Sequence, residues 1–142
     1  MALDKKFWIE LQKDVVPMFR RHVWREGKDI DDEKFDDYTP KYREHKNKHG
    51  AAKFKGTTIP GFTGQLHNSF GFLGFVSDGF KFGTTTHAGR VESLAKRGRV
   101  ITNEEKVVPD HIRSFIMNQA VKYVFEEVLK KEIKGKTIRI KL

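Results

Sequence analysis

The chain has 142 residues and 16.5 kDa, which fits one domain over 1–142 with a core of its own. It contains no cysteine, excluding disulfides and thiolate zinc sites, and shows neither an apolar run of membrane-spanning length nor a secretory leader, so a soluble, non-exported protein without membrane partners is expected. A net charge of +9 and a pI near 9.8 favour polyanionic partners, nucleic acid or an acidic protein surface, though the same charge also serves plain solubility.

In chain order, residues 3 to about 26 read as a helix. Phe7, Leu11, Val15, Phe19 and Val23 recur every fourth position, with Trp8, Val16 and Met18 widening the stripe. Pro17 predicts a kink or break near Val16, and Gly27 ends the helix. Residues 29–37 are acidic and loop-like. They lack the glycine that a calcium loop needs at its sharp turn, so a solvated acidic turn is the simpler reading.

Thr39 then N-caps a short helix with Pro40 at its first position, ending at Gly50. His45 and His49 lie four apart, but Lys46 and Lys48 disfavour a cation between them, and a wet basic face is expected. Residues 51–62, with Lys53, Lys55, Gly56, Pro60 and Gly61, read as a flexible basic connector.

Thr63 is the next candidate N-cap, followed by a single helical turn that points Leu66 inward. The period then changes to that of a strand, placing Phe70 and Phe72 on one face. Ser77-Asp78-Gly79 supplies a turn, and Phe80-Lys81-Phe82 returns as the second strand of a hairpin. Its phenylalanine face must pack on something, because an isolated two-stranded ribbon is marginal in water; Phe70, Phe72 and Phe82 are expected in the core. Residues 88–97 read as a short helix closed by Gly98, residues 99–102 as a strand, and residues 103–106 as a polar turn.

Pro109-Asp110 opens a second long helix to about Lys134, with Ile112, Phe115, Ile116, Ala120, Tyr123, Val124, Val128 and Leu129 as its apolar stripe. Residues 137–142 alternate and read as a terminal strand or arm. The sum is an α+β fold in which two long helices pack on one face of a small, mostly antiparallel sheet, with long loops.

The chain offers no nucleophile elbow, phosphate-binding loop or paired nucleophile and base, and neither catalysis nor a cofactor or metal is expected. Glu104-Glu105-Lys106 matches the tail of some metal-dependent nucleases but falls in a turn, which leaves a nuclease as a minor alternative. A nonspecific DNA-binding protein is the stronger alternative. Its phosphate contacts would come from Lys46, Lys48, Lys53, Lys55, Arg97 and Arg99, with Lys41, Arg43, Arg90 and Lys96 nearby.

Gly27-x-Asp29, Phe35, Tyr38-Thr39-Pro40-x-Tyr42, Lys46, Gly50 and Thr63-Gly64-x-Leu66-x-x-Ser69 occur in that order. This series resembles the virion morphogenesis, or tail-completion, family of tailed bacteriophages over roughly residues 3 to 130. Two departures stand out: only His87-Ala88 and Glu92 remain of the family's segment after the hairpin, and residues 108–115 replace its P-A-R-x-F-L segment. The resemblance implies a non-enzymatic virion protein in the tail or neck, made in the host cytoplasm and assembling as a homo-oligomeric ring, six subunits being one order it allows. Its implied partners are further copies of itself, neighbouring neck, connector or tail-tube proteins, and nonspecifically the packaged DNA. Strand addition by residues 137–142 is one contact such a ring can use.

Overall fold

Helix α1 (Lys5–Trp24) is the element on which the rest of the chain assembles. Asp4 caps it by accepting a 3.1 Å hydrogen bond from the Phe7 amide, and its fourth-position stripe is buried throughout. The helix runs through Pro17 without a break, one of the two outcomes expected there. Pro17 deprives the Lys13 carbonyl of its amide partner, but both residues are exposed, so water can replace the bond. Val15, Val16 and Phe19 are buried on either side of it.

The computed structural model describes residues 3–60, 64–103 and 105–135. After α1, residues 27–35 fold back as an acidic turn. Asp29 organises it by accepting from the Asp31 and Glu33 amides at 2.9 and 3.0 Å. Helix α2 (Pro40–His49) starts as expected, with Thr39 Oγ1 accepting from the Tyr42 amide at 3.3 Å. Gly50 closes it in an extended rather than a left-handed conformation. Glycine is needed there for space: a Cβ at position 50 would sit 2.6 Å from the Lys46 carbonyl oxygen.

The connector expected to be flexible is instead, in its described part, a run of turns pinned to the core. Phe54 and Pro60 are fully buried, Trp24 Nε1 donates to the Pro60 carbonyl at 2.8 Å, and the Gly56 amide donates to Asn47 Oδ1 at 2.7 Å. Thr63, expected as a cap, lies outside the described residues. Gly64 stands at the N-cap position of α3 (Gln65–Ser69) with φ +88°, and Leu66 points inward as predicted.

Strands β1 (Gly71–Val76) and β2 (Gly79–Gly83) form the expected antiparallel hairpin, and Val76 pairs with Gly79 across the Ser77-Asp78 turn. A bulge between Phe72 and Gly74 shifts the register. The ribbon lies along α1: Phe82 meets Phe19 at 4.9 Å between ring centroids and Phe80 meets Trp8 at 6.3 Å. Phe70, just before β1, stacks on Phe19 at 5.3 Å and is buried.

Helix α4 (Ala88–Lys96) is closed by Gly98 at φ +80°. The strand expected at 99–102 does not form. Val100 accepts a 2.9 Å bond from the Ile30 amide, and Ile101 drops into the core, so the segment is held by packing and scattered bonds rather than by a ladder. Helix α5 (Asp110–Gly135) packs against α1 through Ile112, Phe115, Ile116, Ala120 and Tyr123. The Tyr123 hydroxyl donates to Asp4 Oδ1 at 2.6 Å, tying the starts of α1 and the middle of α5 together. The terminal strand expected at 137–142 lies outside the described residues.

Candidate interaction surface

The residues singled out by their order along the chain build a frame. Gly27, at φ +68°, lies beneath Ile59, where a Cβ would stand 3.3 Å from Ile59 Cγ1. Phe35 is buried, and Tyr42 packs on Tyr38 at 4.7 Å between centroids. Ser69 Oγ hydrogen-bonds Thr84 Oγ1 at 2.9 Å, joining the end of α3 to the end of the hairpin. With Asp29, Thr39, Pro40, Gly50, Gly64 and Leu66 in the turn, cap and core roles already described, this set fixes loops against α1.

At the centre of the frame two cations lie against one ring. Arg99 Cζ lies 3.9 Å from the Tyr38 ring centroid and Lys46 Nζ lies 4.5 Å from it. Lys46 Nζ donates to the Ile59 carbonyl at 2.8 Å, the Thr57 carbonyl at 3.0 Å and Tyr38 Oη at 3.3 Å, and Arg99 donates to the Asp36 carbonyl. Burial, helped by the Arg99 charge, pulls the Lys46 ammonium down to a pKa of about 8; burial also raises the Tyr38 phenol, against the pull of Arg99. Lys46 and Arg99 were expected on the wet basic surface. Both are buried, which takes them out of direct reach of a polyanion.

Lys48, Lys53, Lys55 and Arg97 are exposed as expected, on α2, the pinned connector and the end of α4. Lys53 joins a basic depression that the sequence did not reveal. Arg20 and Arg21 come from α1 and Arg25 from its C-cap, Trp24 also lines it, and Lys53 Nζ sits 3.1 Å from the His67 ring nitrogens. Arg20 is structurally engaged there, donating to the His67 carbonyl at 2.7 Å and to the Phe70 carbonyl. Burial first, then the neighbouring Lys53 and Arg20 charges, lower the His67 pKa, with Asn68 opposing.

Two apolar faces lie open. On the hairpin, Phe72, Leu73, Phe75 and Val76 are exposed, Phe72 to 41%. Phe72 was expected in the core; α1 covers the base of the ribbon but leaves Phe72 and Phe75 to pack on each other, at 4.9 Å. On α5, Met117, Val121 and Phe125 recur every fourth position with exposures of 58%, 67% and 63%, and Val128 extends the row. Val128 was assigned to the buried stripe; the helix turns it outward beside Phe125. The outward row is a second apolar stripe on a helix whose first stripe already faces α1.

Glu104 lies outside the described residues, and Lys106 Nζ pairs with Asp31 at 3.1 Å and Asp110 at 3.5 Å. His45 and His49 have ring centroids 5.1 Å apart on α2. Comparison with protein-family models, curated proteins and solved structures finds no match to this chain.

Proposed function

We propose that this chain is a structural virion protein of a tailed phage, which completes the tail or joins it to the head as a subunit of a homo-oligomeric ring. The observation that carries this reading is the pair of open apolar faces, on the hairpin and on α5. Large contiguous apolar surface on a small domain is costly in water and marks contact with other chains. A ring subunit needs two such faces, one for each neighbour, because head-to-tail contacts join different patches. The order of the Gly27 to Ser69 motif residues adds the family resemblance, and their roles in holding loops suit a part whose surfaces do the work. In this reading the protein resides in the tail or neck of the virion and meets adjacent neck, connector or tail-tube proteins.

The test is to inactivate the gene in its phage and image the lysate by electron microscopy. Full heads beside separate tails, with infectious particles restored by added protein, are the expected result. Normal virions in normal yield would refute the role. The basic depression at the end of α1 supports a second reading, nonspecific DNA binding, through the exposed cations Arg21, Arg25 and Lys53. Affinity of the isolated chain falling steeply with salt, and weakened by Arg21→Ala and Arg25→Ala, would favour that reading instead.

A further inference from the structure

The end of α1, the acidic turn and the start of α5 meet at His22, Asp32 and His111. One ligand atom from each lies within 4.8 Å of the others. His22 is 1% exposed. Its Nε2 lies 2.6 Å from the Asp29 carbonyl oxygen, an acceptor, so Nε2 carries a hydrogen, and in the neutral ring Nδ1 presents a lone pair. That buried Nδ1 has no hydrogen-bond partner. It faces Asp32 Oδ1 and Glu26 Oε2, each 3.8 Å away, while the His111 ring stands 5.0 Å from the His22 ring. Such an orphaned lone pair among carboxylates is poorly explained by packing alone.

We propose that His22, Asp32 and His111 bind a divalent transition-metal ion of the zinc type, with Glu26 within reach as a fourth ligand. Two imidazoles and carboxylate oxygens suit zinc chemistry, and the His22 Nε2–H bond to a backbone carbonyl is the outer-shell contact that orients a ligating histidine. Ligands about 2.0–2.2 Å from a tetrahedral ion stand roughly 3.3–3.6 Å apart, so the set must draw in slightly. The exposed Asp32 and His111 make that movement, while His22 is fixed. Asp32 is held at φ +64°, and its carboxylate also meets Lys28 Nζ at 3.6 Å, an ammonium that the ion displaces. The ion would staple the end of α1, the acidic turn and the start of α5.

Titration of the full chain with Zn2+ and with Co2+ tests this, read by calorimetry and by the visible ligand-field absorption of tetrahedral Co2+. One ion per chain is expected, with the unfolding midpoint raised by about 9 °C at a hundredfold excess over Kd. His111→Ala and Asp32→Asn change exposed ligands, and asparagine tolerates the positive φ, so both should fold. Each should weaken binding at least about tenfold, whereas His49→Ala should not. Absence of saturable binding, equal affinity in the His111 and Asp32 variants, or loss in the His49 variant would overturn the assignment.

Discussion

Replacing Lys46 with methionine removes the buried ammonium but keeps an apolar stem of similar length. In the wild-type protein the Lys46 pKa falls from 10.5 to about 8, chiefly through desolvation, so the charged form is disfavoured on folding. The cost is fully present below pH 8 and is relieved as pH rises from 8 to 10.5, because the unfolded chain then holds the proton that the folded chain has released. At about 1.4 kcal/mol per unit the shift corresponds to roughly 3 kcal/mol, of which about 2 kcal/mol should be recovered between pH 7 and pH 10. At pH 7 Lys46→Met should be destabilising by about 1–3 kcal/mol, since the Thr57 and Ile59 carbonyls lose a donor while an expensive charge disappears. At pH 10 the deficit relative to wild type should be larger by about 2 kcal/mol, since only the wild type gains from deprotonation. Urea unfolding of both proteins at the two pH values gives this double difference, and comparison with the variant cancels other titrating groups. Parallel pH profiles would refute the reasoning, placing the ammonium in contact with water.

Phe19→Ala should cost about 3–5 kcal/mol in chemical denaturation, because its ring is fully buried between Phe70 and Phe82. Tyr123 should titrate at about 12, raised first by its hydrogen bond to Asp4. Its linked stability is complete below pH 10 and lost as pH rises toward 12; tyrosinate signals in Asp4→Asn should move back toward 10. Gly64→Ala should destabilise by about 1–2 kcal/mol, since φ +88° strains any residue with a Cβ; an unchanged midpoint would contradict this. Val121→Glu with Phe125→Glu should alter monomer stability by no more than about 0.5 kcal/mol each yet abolish restoration of infectious particles; restoration at wild-type efficiency would remove the α5 face from assembly.

Where one element supplied both the pattern and its partner, the sequence was readable. The Phe7 to Val23 stripe, the Thr39-Pro40 start of α2 and the Ser77-Asp78-Gly79 turn all depend on neighbours a few residues away. Lys46 and Arg99 were not readable as buried, because the carbonyls of Thr57, Ile59 and Asp36 that receive them belong to distant loops without a pattern of their own. Residues 99–102 have strand composition, but no neighbouring strand is available among the described residues, and composition alone does not make a ladder. Phe72 and Val128 carry the right chemistry for a core and miss it because α1 is too narrow a cover for the whole hairpin and for both sides of α5. The His22, Asp32 and His111 group left no local signal, since each ligand arrives on a different segment.

The order in which α1 meets its partners has a consequence during synthesis. The ribosome releases α1 first, yet its stripe is covered only after the hairpin and finally α5 have emerged, with Tyr123 closing on Asp4. For most of translation a nascent chain therefore displays Phe7, Leu11, Val15 and Phe19 unprotected. Chains arrested before α5 should be sticky clients of chaperones, whereas those released after Tyr123 can close upon themselves.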